Sequence, residues 1–373
     1  MKRDAHYYAI LALCRACGFK KDCAQIIAYA SQFVDDAKIN LMYIDIDSSS
    51  YIPEHDFVEN RSAFFNMATC HSYFRINTFN YEAMVNNTIA FHFVPGCKGE
   101  NFTKRLRCKE EAPIILDILN DVFFEDDLIK LGIILHAYAD SYTHQGFSGM
   151  LSKVNDIKNC EAITVQDIGL LYKILKFFSQ FSREKYEKLF DRIMPAYGHA
   201  QALEFPDIPY LVWSYDYDES GEFNGSYKRI EIDNKERFTR AFNGIKKHLE
   251  KYLAIHNQYM DCNLEFNNFD SLMETLLSDG EDKQREMNWI RLLIDQGLFN
   301  SDDLALIPYD DNKWLKEAFR NYDQKVFDSR QVDGVQLAND FSNSNWYGFY
   351  RAVKWYKQKF FQYCNKYELS IPN

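Results

Sequence analysis

The sequence is poor in chain breakers. Its 373 residues include only 8 prolines and 15 glycines, which excludes collagen, a mucin-like stalk or a long flexible linker. No run of eighteen apolar residues occurs, so no transmembrane helix is expected. Basic residues are in deficit, with 43 Lys and Arg against 54 Asp and Glu and a net charge of −11. Such a balance argues against gripping duplex nucleic acid, which needs a basic face. It still permits a small or single-stranded phosphorylated substrate held through bound metal. Cysteines number nine and lie far apart. Cys14 and Cys17 form a C-x-x-C, but no second pair follows at finger spacing, so they read as reduced core thiols. The apolar stretch from Tyr7 to Cys17 is interrupted by Arg15 and followed by Lys20-Lys21-Asp22 with no small-residue cleavage site. It reads as a first helix rather than a signal peptide, and the chain as cytoplasmic.

Apolar and aromatic residues are plentiful. Hydrophobic residues make up 47 % and aromatics 16 %, enough for a large core and unlike a disordered chain. Helical spacing of apolar residues predicts helices over 5–19, 21–38, 112–124, 127–146, 165–193, 233–260, 266–297, 312–325 and 345–366. The stretch 39–110 changes character and reads as an irregular or short-strand insertion. A polar, aromatic loop is expected over 196–230. No linker divides the chain. The expected architecture is a mostly α, single-domain helical bundle. Residues 1–230 would form a metal-binding helical core, with C-terminal helices of 231–373 packed on the same domain.

The densest chemical signal is Leu135-His136-Ala137-Tyr138-Ala139-Asp140-Ser141-Tyr142-Thr143-His144. His136, Asp140 and His144 stand at i, i+4 and i+8, which places them on one helix face. Apolar neighbours such as Ile133, Ile134, Leu135 and Tyr138 put that face in a core. Two imidazoles and a carboxylate buried there need a partner, and a divalent ion supplies one. Nitrogen and carboxylate oxygen suit zinc, and also iron or manganese. The bland alternative is a solvated polar face. His6, Asp35, Asp36, His92, His199, Glu204 and Asp207 are further candidates, each weak when taken alone.

Read in order, these residues run His, Asp, His, His-x3-Asp-x3-His, then His with a following carboxylate. That order resembles the superfamily of zinc-dependent phospholipase C and the fungal and plant single-strand nucleases. Phe33-Val34-Asp35-Asp36, Phe91-His92-Phe93-Val94 and Leu135 to His144 carry the likeness. The chain is more similar still to a bacterial family of uncharacterised proteins. Its marks are His-Tyr-Tyr at 6–8, Ser-Gln-x-Val-Asp-Asp at 31–36, His-Phe-x-Pro-Gly at 92–96, Leu-His-x-Tyr-Ala-Asp-x-x-x-His-Gln-x-Phe at 135–147 and Gly-His-Ala at 198–200.

The resemblance implies an all-helical fold and a cluster of two or three zinc ions, held by His6, Asp35, His92, His136, Asp140, His144, His199 and Asp207. Glu204 is the alternative to Asp207, and Asp36 to Asp35. It also implies phosphoester hydrolysis by metal-activated water, with Asp35 as ligand and base and Asp140 as a bridge. Two departures stand out. The enzymes expose a tryptophan whose amino group binds one metal, whereas this chain has Met1 and no such Trp, so one ion loses an expected ligand. The last gap of the central helix is also two residues shorter. A rival hydrolase reading, adjacent His-Asp on a helix, has only His55-Asp56 in its favour. A rival of another class is a non-catalytic binding or assembly protein with a structural or vestigial metal site.

Overall fold

A computed structural model describes residues 1–45, 54–70, 80–96, 102–164, 195–220, 224–369 and 371. The helix expected over 165–193 lies outside the described residues. The chain opens with a π-helical turn, Asp4–Ala9, that runs into α1 (Ile10–Ala16). The principal helices that follow are α2 (Lys21–Asp36), α3 (Pro113–Val122), α4 (Leu128–Thr143), α5 (Asn234–Ile255), α6 (Phe269–Leu277), α7 (Asp282–Asp295) and α8 (Asn345–Lys366).

Helix α4 lies at the centre. Asp127 caps it, its carboxylate accepting from the backbone N–H groups of Ile129 and Lys130 at 2.9 and 3.0 Å. Every residue from Leu131 to Thr143 is buried. A helix apolar on nearly all sides belongs inside a protein, and its neighbours must cover it completely. α2 does so at close range. A Cβ at Gly132 would lie 2.4 Å from the Ile27 carbonyl oxygen and 2.6 Å from the Ala30 Cβ. Glycine therefore lets the two backbones approach, and one turn further on Asp35 of α2 comes opposite His136 of α4.

Strands overturn the expectation of a mostly α bundle. β1 (Leu41–Ile44), β2 (Asp56–Val58), β3 (Arg61–Phe65) and a late strand, β7 (Gln331–Val335), form one sheet in the order β2-β3-β1-β7. β1 runs antiparallel to β3 and parallel to β7, with Leu41 opposite both Phe65 and Gln331. A second, antiparallel sheet joins β4 (Ile157–Ala162), β5 (Val212–Asp218) and β6 (Tyr227–Asp233) in that order. The structure is thus an α/β mix.

Each strand has a local cause. Trp213, Tyr215 and Tyr217 alternate along β5 and turn into one core, the period-two pattern of a half-buried strand. The expected loop over 196–230 therefore holds a strand and the start of another. Two expected helices are also divided. Gly280, at φ +134°, sits between α6 and α7, in a conformation that a helix cannot continue through. The helix expected over 312–325 reduces to Lys313–Ala318 and a separate turn, Gln324–Phe327. No described helix is long and apolar enough to cross a membrane.

Among the described residues, buried hydrophobic side chains form two clusters. The larger runs through the helices and the four-stranded sheet. The smaller lies under the three-stranded sheet and includes Phe93, Phe147, Phe205 and Trp213. His92 stands between Phe91 of the first cluster and Phe93 of the second.

Candidate metal centre

Polar residues converge where the two cores meet. His136 and Asp140 point from α4, and His144 caps its C-terminal end; the three are at most 1 % exposed. His6 comes from the π-helical turn at the chain start and stacks on His136, ring centroids 3.9 Å apart. The wider turn of a π-helix re-aims a side chain and often occurs at functional sites. Asp35 lies at the end of α2. His92 ends the helical stretch made of Tyr81–Ala83, a π-helical turn Met84–Ile89, and Ala90–His92. His199 precedes the 3-10 turn Ala200–Ala202, and Asp207 ends the 3-10 turn Phe205–Asp207.

The structure therefore brings together all eight residues selected as ligands from the sequence. Three groups could each hold a metal ion, the ligand atoms within each lying within 4.8 Å of one another. These are His6, His136 and Asp140; Asp35, His92 and His136; and His144, His199 and Asp207. The alternatives fall outside. Glu204 is 70 % exposed and pairs with Lys2 at 2.8 Å. Asp36 accepts from Tyr309 at 2.7 Å and from Gln32 at 3.2 Å. Asp56, of the rival His-Asp pair, is bound to Lys354 at 2.7 Å.

The hydrogen bonds around the cluster set which nitrogens point inward. His144 Nδ1 lies 2.8 Å from the His92 carbonyl oxygen, and His199 Nδ1 lies 2.7 Å from that of Leu203. His92 Nε2 lies 3.0 Å from the Thr69 carbonyl oxygen. A nitrogen facing a carbonyl must donate, so in the neutral ring the other nitrogen carries a lone pair. Those lone pairs face carboxylates. His92 Nδ1 is 3.1 Å from Asp140 Oδ2, and His144 Nε2 is 3.1 Å from Asp207 Oδ1. His136 Nε2 approaches the same His92 nitrogen at 3.1 Å. The His92 lone pair facing the Asp140 oxygen is unfavourable unless a proton or a cation sits between them, and outer carbonyls that orient imidazoles are typical of metal sites.

Sequence reasoning missed one participant. The α-amino group of Met1 is buried and donates to Asp140 Oδ1 at 2.7 Å, with Asp207 Oδ1 at 3.1 Å. It lies between the carboxylates of the two sides of the cluster. A backbone amine has no side-chain signature, and no motif could have announced it.

Electrostatics follow from burial and crowding. Burial, followed by the neighbouring His136 and the Met1 amine, holds His6 well below its usual value. Burial also lowers His92 and His136, and brings His199 down to about 4. These rings are therefore neutral and able to bind a cation. Burial opposes a charge on His144, but Asp140 and Asp207 outweigh it and move it upward. Asp140 and Asp207 stay ionised despite burial. His144 and the Met1 amine hold Asp140 down, and the amine and His199 hold Asp207 down. Burial, reinforced by Asp140, lifts Asp35 to about 7. Burial also works against the Met1 ammonium, yet Asp140, Asp207 and Asp35 raise it to about 11. Three carboxylates share this buried space with a single ammonium. With His6, His92, His136 and His199 neutral, negative charge remains in excess, and a further cation would balance it.

Side chains beyond the cluster hold its pieces in place. Arg285 of α7 bonds to the Asp4 carboxylate through Nε at 2.9 Å and also through Nη2, fixing the turn that carries His6. Asn234 is fully buried, donates to the Phe205 and Ile208 carbonyls at 2.6 and 2.7 Å, and accepts from Trp213 Nε1 at 3.1 Å. It clamps the turn that carries Asp207. Sequence inspection marked neither residue, because their partners lie far along the chain.

Fold and site together define a class: an α/β chain whose helical core and smaller sheet layer meet over a buried His and carboxylate centre that could hold a metal ion. The chain belongs to the family described as "Family of unknown function (DUF6765)", whose model matches residues 1–364. No curated protein and no solved structure matches it.

Proposed function

We propose that this protein is a metal-dependent phosphoester hydrolase holding two or three zinc ions. The observation that carries the reading is the set of inward-facing imidazole nitrogens aimed at buried carboxylates, drawn from separate segments of the chain. Ligands rich in His and Asp and without thiolate suit hydrolytic rather than purely structural zinc. The ligand order, which resembles that of zinc-dependent phospholipase C and the single-strand nucleases, adds support. A divalent ion in such a site supplies an acidified water and a counter-charge for the leaving oxygen.

The chain's own residues would do the rest. Asp35 is 25 % exposed and Asp207 15 %, whereas Asp140 is 1 % exposed. The centre therefore opens at Asp35 and Asp207, and a substrate would arrive there. Asp35, at the more exposed edge of the centre, is suited to orient the attacking water and take its proton. Asp140, between His136 and His144, would hold an ion together with His6 and His136. The acidic surface favours a small or single-stranded phosphoester over duplex nucleic acid.

Elemental analysis of protein purified without chelator, paired with hydrolysis of an activated phosphodiester, tests the reading. Wild type should contain at least two ions per chain and lose activity on chelation. Asp35→Asn should keep most of the metal and lose most of the activity. Metal-loaded protein that cleaves no phosphomonoester or phosphodiester would sink the hydrolase reading and leave a binding protein.

A further inference from the structure

Asp35 faces two ways. One side looks into the metal centre, and the other lines a cavity of about 230 Å³ between the end of α2 and the start of α8. Phe33, Leu315, Trp346 and Phe349 form its apolar wall. Phe33 and Phe349 meet edge to face at 4.9 Å, a packing that holds aromatic walls at fixed angles. Much of this wall comes from residues 311–350, well beyond the motifs that mark the metal ligands. Its volume falls below the ~300–1,000 Å³ that a drug-sized ligand occupies, so it suits a ring-sized group and not a pair of long acyl chains.

Charge narrows the occupant further. Asp36 and Asp311 line the cavity, and Lys38, the sole cation among the described lining residues, is paired with Asp328. A second phosphate would meet carboxylates here, with the one described lining cation already paired. We propose that this cavity is the binding site for the organic group of the substrate, and that this group is a ring-sized apolar moiety without negative charge, esterified to the phosphate at the metals. The inference rests on the phosphoester reading of the metal centre. It names the substrate class as aryl-type phosphoesters, and it separates them from polyanionic chains and from diacyl lipids.

Equilibrium binding to the metal-loaded full chain tests this without turnover. Phenyl phosphate and methyl phosphate carry the same phosphoryl group and differ in the ring. Titration calorimetry should show phenyl phosphate binding at least about tenfold tighter, equal to about 1.4 kcal/mol. Ala37→Phe, which fills the cavity from the α2 side, should bring the ratio of the two affinities close to one. Leu315→Phe does the same from the opposite wall and serves if the first variant does not fold. Equal affinities in wild type overturn the cavity assignment and leave the metal reading intact. A phenyl preference that survives both variants also overturns it. Binding of neither phosphate overturns both readings, whereas binding with the expected ratio but no hydrolysis overturns only the hydrolase.

Discussion

On the helical side of the candidate metal centre, His136 and Asp140 stand one turn apart on α4, and Asp35 lies opposite them at the end of α2. On the sheet side, His199 and Asp207 come from two short 3-10 turns, and only His144 belongs to the end of a helix. The first side is positioned by backbone regularity and by the close approach at Gly132. The second is positioned by single hydrogen bonds, such as those from Asn234 to the Phe205 and Ile208 carbonyls. Regular helices fix the spacing of several ligands at once, whereas turns need a dedicated clamp for each.

The widest test of this contrast is Asp140. It touches the Met1 amine, His6, His92 and His136, so Asp140→Ala should release most of the metal. His199→Ala should release only the ion on the sheet side. Elemental analysis of the two variants decides, and equal losses would break the two-sided description.

The next largest effect is expected at Arg285. Arg285 and Asp4 are 2 % and 3 % exposed, and removing one partner of a buried pair costs ~3–5 kcal/mol. Arg285→Met should lower stability by that order in chemical denaturation. It should also weaken metal binding on the helical side, because Asp4 shares a turn with His6.

Asn234→Ala probes the other side. Two buried carbonyls and an indole N–H lose their partner, and a destabilisation of ~1–3 kcal/mol is expected. Metal should then be lost from the group of His144, His199 and Asp207 while the helical groups keep theirs. An unchanged metal content would show that the turn holds itself.

The smallest effect concerns a lysine away from the centre. Lys357 of α8 donates to Asn66 and to the Ala68 carbonyl at 2.8 to 3.1 Å, and burial lowers it to about 7. In the unfolded chain it returns to the ordinary lysine value, so between pH 7 and 10 the unfolded state holds more protons. Stability from this group therefore rises with pH across that window, by at most ~1.4 kcal/mol per pH unit. Wild type should gain on Lys357→Met as pH rises from 7 to 9 in paired denaturation curves. A flat difference would show that the surrounding oxygens keep the amine charged.

The helical side was legible because a helix repeats. His136, Asp140 and His144 at intervals of four, set among apolar residues, announce a shared buried face from spacing alone. The sheet side was only half legible. His199 and Asp207 stood out by residue type and through the family resemblance, but nothing local showed that their turns lie against α4. The strands were harder still. β7 owes its place to β1, with Gln331 beside Leu41, and β5 was read as a loop although Trp213, Tyr215 and Tyr217 alternate along it.

What the sequence by itself determined is the place of α2, α4, α5 and α8 and the buried His and Asp face of α4, because each rests on spacing within a few turns of chain. Tertiary structure alone decided that Asp207 and not Glu204 faces the cluster, that the Met1 amine sits between Asp140 and Asp207, and that Arg285 and Asn234 hold the two sides. Those outcomes depend on pairs of groups far apart in the chain, whose desolvation is tolerable only once each has met its partner.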